Sequence, residues 1–319
     1  MTPALRPMNL GEILDRAFQI YRSRFFAFVG IGLIPIFAAE SVQLADRTWL
    51  HVNSLVHPVG RPELFLWNTV IWLAYYHVFA VFSSLIEPSS INVASSFILG
   101  EKCSLISSLR FVAVRWRSYL WIALLKISAV LLLPELVIIV LGTAVFIFAD
   151  LTGLMKRDQM SIIPILILIV FVVSLALFIW IGACLSLSVP AAALENIAGF
   201  RSLRRSWSLG KGTRVRIWFV WLILFLGSWA LAWALEYLLG KSMLLAGSLL
   251  HLAPLMRSLY APAVFVLVTA IYVVLGPILP IALTLFYYDQ RIRKEGFDIE
   301  RMIEAAGLDE RPALPAGGQ

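Results

Sequence analysis

Long apolar stretches alternate along the chain with short polar ones rich in arginine. A helix that crosses a hydrocarbon layer about 30 Å thick needs about 20 mostly apolar residues. Six segments meet that length: about Phe25 to Ala45, Leu64 to Leu99, Ser118 to Ala149, Ile162 to Leu194, Ile217 to Leu239 and Tyr260 to Tyr288. Several exceed it, which predicts tilt, kinks or protrusion beyond the lipid. Prolines mark the expected bends at Pro88, Pro134, Pro190, Pro277 and Pro280. Each lacks a backbone donor and crowds the turn before it. The pattern predicts an all-α fold, a polytopic membrane helical bundle of about six transmembrane helices.

The polar stretches have a period of their own. From Asn9, apolar residues fall at Leu10, Ile13, Leu14, Ala17, Phe18, Tyr21 and Phe25, the spacing of an amphipathic helix. Glu12, Asp15, Arg16, Gln19 and Arg22 take the other face, and Asn9 with Glu12 has the spacing of a capping box. Such a basic helix suits a membrane interface. Interfacial helices are expected at about 9–24, 104–117 and 197–210. Leu14, Tyr21, Arg22 and Ser23 have counterparts at Leu109, Trp116, Arg117 and Ser118, and SLRRSW from Ser202 to Trp207 is a looser copy. One reading is three units, each an interfacial helix followed by a transmembrane hairpin. The other is that juxtamembrane helices resemble each other simply by being basic and aromatic.

Composition supports the membrane reading. The chain is 61% hydrophobic and 14% charged, whereas soluble domains carry about 25% charged residues. Its net charge of +7 lies between apolar spans and not on a polar domain. That excludes a nucleic-acid binder and points to anionic lipid head groups as partners. Of the 26 Lys and Arg residues, 19 fall on one side of the expected spans and 6 on the other, with Lys126 inside one. The positive-inside rule then places both termini in the cytoplasm and the protein in the cell membrane. No cleavable secretory signal is expected, because the first twenty-odd residues lack an apolar core. Residues 1–296 form the membrane domain. The tail, 297–319, holds one short amphipathic stretch at Ile299, Met302 and Ile303 and then becomes disordered. Cys103 in a polar connection and Cys184 in a span are too differently placed for a disulfide.

GEILDRAFQIYRSRF (Gly11 to Phe25), PAAALEN followed by SLRRSWSLGKG (Pro190 to Gly212) and YYDQRIRKEGFDIE (Tyr287 to Glu300) occur in this order. Together they resemble the bacterial glycerophosphoryl diester phosphodiesterase membrane domain family. The resemblance implies a stand-alone membrane domain without the catalytic barrel that gives the family its name, and hence no phosphodiesterase activity.

Charged residues inside spans each cost about 2.5–3.5 kcal/mol on insertion scales, so each needs a reason. They are Glu87, Lys126, Glu135 and Glu236, with Glu40, Glu195 and Asp289 nearer span ends. Glu87 and Lys126 lie at compatible depths on neighbouring spans. Their pairing is either a structural ion pair or a substrate or coupling site. Around them Ser83, Ser84, Ser89, Ser90, Asn92, Ser95 and Ser96 make the second span polar, either to line a cavity or to pack helices closely. Glu195 and Asp289, with Arg16, Arg204, Arg205, Arg291 and Arg293, are expected to form a cytoplasmic charge network or a lipid head-group site. The four histidines have no metal-ligand spacing and no nucleotide or hydrolase motif occurs. No enzyme activity, cofactor or metal is expected. The function expected is a non-enzymatic lipid-associated, accessory or scaffold membrane protein. The alternative is a small transporter using Glu87 and Lys126.

Overall fold

The computed structural model describes residues 6–56, 78, 82, 84, 86–101, 103–151 and 162–305. Among these the chain is helical and holds no strand. The elements are α1 (Leu10–Ser23), α2 (Phe25–Val56), α3 (86–99), α4 (Leu105–Val114), α5 (Trp116–Ile127), a π turn (Ser128–Leu132) and α6 (Leu133–Leu151). After them come α7 (Ile162–Leu185), α8 (Ser188–Glu195), α9 (Phe200–Leu209), α10 (Arg214–Leu249), α11 (Ala253–Leu275), α12 (Ile278–Glu295) and α13 (Phe297–Ala305).

Among the described residues, four helices are long and apolar enough to cross a membrane: Trp116–Val145, Ile165–Glu195, Arg214–Leu249 and Ala253–Glu295. Helices α1 and α2 qualify only as a pair, and they meet at an 84° bend. Most of the expected second span (64–99) lies outside the described residues, as do the ends of the tail. The 36 residues of α10 extend about 54 Å at 1.5 Å per residue, well beyond a hydrocarbon core. Along α7, Ile165, Ile167, Leu168, Phe171 and Val172 are all more than half exposed, an arrangement suited to lipid and not to water.

The local breaks follow from sequence. Pro134 has no N–H and its ring presses on the carbonyl four residues back. The π turn just before it widens the helix there, which relieves the clash. In α1, Asn9 accepts from the Glu12 N–H at 2.8 Å and Glu12 accepts from the Asn9 N–H at 2.8 Å, closing the capping box. At Gly296, φ of +66° ends α12 in the left-handed region that suits glycine.

Three of these breaks are copies of one another. Arg24 (φ −128°, ψ 29°), Arg115 (φ −125°, ψ 19°) and Thr213 (φ −123°, ψ 0°) each separate a short basic helix from a long apolar one. Counting from these residues puts the three short helices in one register. Ten residues before the break stand Leu14, Leu105 and Leu203. Seven before it stand Ala17, Ser108 and Ser206, each fully buried. Four after it stand Phe28, Tyr119 and Ile217, and seven after it Ile31, Ile122 and Val220, all buried. The short helix, its break and the outgoing helix therefore recur three times, but with Leu14 matched to Leu105 and not to Leu109. The sequence match on Tyr21-Arg22-Ser23 and Trp116-Arg117-Ser118 is four residues out of register. In the structure Ser23 closes α1, whereas Trp116 opens α5. The short helices expected at the interface occupy 10–23, 105–114 and 200–209, so the second is shorter than the expected 104–117.

The units close into a ring. Helix α7 packs on α10 and α11 on α2, and Glu87 of α3 meets Lys126 of α5. Each return helix thus lies against the outgoing helix of the next unit. The short helices follow the same order: α9 packs beside α8 and α1 beside α12, and Ser108 of α4 reaches α3. The core sits at this basic end, around α12, whose residues from Ile281 to Gln290 are all buried.

The return helices α7 and α11 break here, before α8 and α12, which frees backbone groups that need other partners. Ser206 Oγ donates to Cys184 O at 2.7 Å and accepts from the Leu187 N–H at 3.1 Å. At the matching break of α11 and α12, Tyr21 Oη donates to Val274 O. Val274 stands three residues before Pro277, as Cys184 stands three before Leu187. Pro277 has no N–H to satisfy, and the residue in the place of Ser206 is Ala17. Side-chain hydroxyls are thus supplied where the backbone needs them.

Replacing Ser206 with Ala leaves a buried donor and a buried acceptor unpaired, each worth roughly 1–3 kcal/mol. Thermal unfolding in detergent should show Ser206→Ala destabilised by at least that amount, and Ser208→Ala, on an exposed side chain, unchanged. The α1 cap is pH-dependent. The backbone N–H of Asn9, then Arg6, hold the Glu12 carboxyl below its usual range. The depressed value means its contribution is complete above the ordinary carboxylate range and is lost as pH falls through the lower folded value. Hydrogen exchange of the first turn of α1 should accelerate over that acid window, and Glu12→Gln should remove the pH dependence.

Candidate functional site: a basic rim at the helix breaks

Two knots of charge hold the basic end together. The first is built on Asp289, which is fully buried on α12. Its carboxylate accepts from the Met8 N–H at 2.8 Å, from Arg293 Nε at 3.0 Å to both oxygens and from Gln290 at 3.1 Å. Arg216, at the start of α10, approaches it at 3.6 Å. Arg216 and Arg293 also donate to Met8 O at 2.8 and 2.9 Å. Met8, which precedes the Asn9 cap of α1, is therefore gripped through both of its backbone groups. Removing the carboxylate would leave two guanidinium groups, one of them part-buried, without their counter-ion.

The second knot is built on Arg205 of α9. It holds Glu195, at the end of α8, through Nε at 2.8 Å and Nη2 at 2.6 Å. It also reaches Glu295 at the end of α12 at 2.7 Å. Tyr287 Oη donates to the same Glu195 oxygen. Burial alone would lower the Arg205 pKa, but the bonds from Glu295 and Glu195 outweigh it and hold the pKa above its ordinary value. Lys294 caps the end of α9 by donating to Leu209 O and Lys211 O, both at 2.7 Å, where a helix exposes unpaired carbonyls. Arg214 lies between the rings of Trp207 and Trp180, at 4.6 and 5.0 Å from their centroids.

The structure sorts the expected network residues. Arg205 joins Glu195 and Arg293 joins Asp289. Arg291 instead pairs with Glu295 at 3.1 Å and Glu300 at 3.6 Å, because helical spacing puts Glu295 one turn away. Arg204 is exposed and meets no described carboxylate. Arg16 is part-buried, and its pKa is lowered by burial first and by the like charge of Arg6 second. Arg216, Lys294, Glu295, Tyr287 and the Met8 backbone were not singled out from sequence. An i, i+4 Arg291–Glu295 pair was readable there; the contacts of Arg216 and Met8, more than 70 residues from Asp289, were not.

Within the spans, Lys126 Nζ lies 3.1 Å from both oxygens of Glu87. In the other units the matching positions are Val189 and Leu279 for Glu87, each just before a proline, and Leu224 and Pro35 for Lys126. An ion pair here replaces an apolar contact elsewhere in the ring. Ser89 and Ser90 beside it are fully buried, and Ser95 Oγ bonds Tyr288 Oη at 2.8 Å, so this part of α3 is closely packed. The side chain of Glu135 lies outside the described residues. Glu236 lines a cavity of about 150 Å³ between α2, α10 and α11, together with Glu40, Tyr260, Val264 and Phe265. No group of three or more potential metal ligands occurs among the described residues. No known family, curated protein or solved structure matches this chain.

The ion pair gives a clean test. Losing one partner of a buried pair typically destabilises by 3–5 kcal/mol, whereas replacing both with apolar groups is about neutral. Glu87→Val and Lys126→Leu alone should each lower the unfolding temperature clearly. The double variant, which copies Val189 and Leu224, should recover most of the loss.

Proposed function

We propose that this protein is a non-enzymatic, lipid-associated membrane protein that acts as an accessory or scaffold factor. The observation that carries the reading is a repeated anchor. Six residues before each break stand Phe18, Leu109 and Trp207, which are 44%, 40% and 42% exposed. On the same helices the buried face is fixed against the ring. An apolar side chain held outward in one register, three times, beside arginines suits a layer of lipid head groups and upper acyl chains. In this reading the chain crosses the cell membrane six times, its second span passing through 64–99. The basic rim and both termini face the cytoplasm. The three motifs quoted above lie on α1, α8 to α9 and α12 to α13, and on their resemblance alone the chain is proposed to be related to the glycerophosphoryl diester phosphodiesterase membrane domains.

A transporter reading has one observation in its favour, the cavity at Glu40 and Glu236. Glu87 and Lys126, the residues first considered for transport, are satisfied by each other.

Native mass spectrometry of the protein released from mixed phosphatidylcholine and phosphatidylglycerol nanodiscs tests the proposal. The expected result is preferential retention of phosphatidylglycerol, reduced when Phe18, Leu109 and Trp207 are all changed to Ser. Equal retention of both lipids by the unaltered protein would overturn it.

A further inference from the structure

The ring repeats its arginine as well as its anchors. Eight residues before the break stand Arg16, Ser107 and Arg205. Arg16 and Arg205 occupy the same flank of α1 and α9, since their buried neighbours match one for one: Ile13 with Ser202, Ala17 with Ser206 and Ile20 with Leu209. Both helices lie beside the return helix of the preceding unit, α12 for α1 and α8 for α9.

Arg205 finds its carboxylate there. Glu195 stands five residues after Pro190. The position five residues after Pro280 is Leu285, which is 1% exposed. The repeat thus keeps the guanidinium in the first unit and omits the acid that neutralises it in the third. No hydrogen bond, ion pair or ring contact satisfies Arg16 among the described residues. Arg6, its charged neighbour, is bound to Glu12 at 2.6 Å. A part-buried guanidinium keeps its charge, and no described carboxylate neutralises this one.

We infer that Arg16 binds an external phosphate group, which fills the place that Glu195 fills beside Arg205. A guanidinium presents paired donors that match two phosphate oxygens as they match two carboxylate oxygens. The ligand class is a phosphate mono- or diester, carried by a phospholipid or free in solution. This rests on the lipid-associated reading for the first source and is independent of it for the second.

The test uses the full chain in nanodiscs. Three preparations are compared: phosphatidylcholine alone, phosphatidylcholine with phosphatidylglycerol, and phosphatidylcholine alone with added inorganic phosphate. Lipid retention is read by native mass spectrometry and phosphate binding by calorimetry. Arg16→Gln should weaken binding of at least one probe about tenfold or more, as expected for loss of a charge-assisted bond, and Arg16→Lys should weaken it less. Leu285→Glu should abolish the same binding by supplying the internal acid, and should fold with Arg16 in place but not in the Arg16→Gln background. Dependence on Arg16 for phosphatidylglycerol supports the site and the lipid source. Dependence for inorganic phosphate alone supports the site and overturns the lipid source. If the unaltered protein binds either probe and Arg16→Gln binds it equally, the inference fails while the lipid-associated reading stands. If the unaltered protein binds neither probe, both fail. Should Leu285→Glu not fold at all, the Arg16→Gln and Arg16→Lys comparison decides.

Discussion

A helix broken by proline inside or beside a membrane leaves backbone carbonyls and amides that water does not reach. That constraint organises this protein. Each break must be answered by a group from another part of the chain, and at the two described breaks the groups used are the hydroxyls of Ser206 and Tyr21 on the short basic helices α9 and α1. A short basic helix is thereby fixed to the bundle by the defect it repairs. Where the proline itself removes the donor, as at Pro277, the matching serine is absent and Ala17 stands in its place. Donors and acceptors are balanced at both of these breaks.

The ring follows from this arrangement. Because each short helix answers the return helix of the unit before it, the first unit must meet the third, and α1 lies on α12. The buried core gathers at that end, while the outer surfaces of α6, α7 and α10 stay apolar and exposed. Charge then locks the closure. Asp289 and Arg293 on α12 and Arg216 on α10 hold the backbone of Met8, and Arg205 ties α9 to the ends of α8 and α12. The Glu87–Lys126 pair makes one of the three ring contacts chemically unlike the others, a feature suited to fixing which unit neighbours which.

Much of this was readable from the chain. Hydropathy located the long helices, and the Asn9–Glu12 spacing located the start of α1. Depth alone paired Glu87 with Lys126. The repeat was visible, but its register was not, because Tyr-Arg-Ser and Trp-Arg-Ser resemble each other for reasons common to any membrane border. The informative signal is the spacing of a leucine, a small buried residue three positions on and an apolar residue three further: LDRAFQI, LISSLRF and LRRSWSL. The hydroxyl contacts were out of reach, since a serine that satisfies a distant carbonyl looks like any other serine. The network around Asp289 was half legible. Its arginine one turn away follows from helix geometry, whereas Arg216 and Met8 meet it only once the ring has closed.

The claim that the breaks and the short helices form one structure is tested most directly by hydrogen exchange of the protein in lipid. The account predicts that α1, α8 and α9 exchange together with the buried half of α12, as a single slow unit, even though the short helices lie at the edge of the bundle. The result that would contradict it is rapid exchange of α1 and α9 while α12 remains protected, the behaviour of helices that merely rest on a membrane.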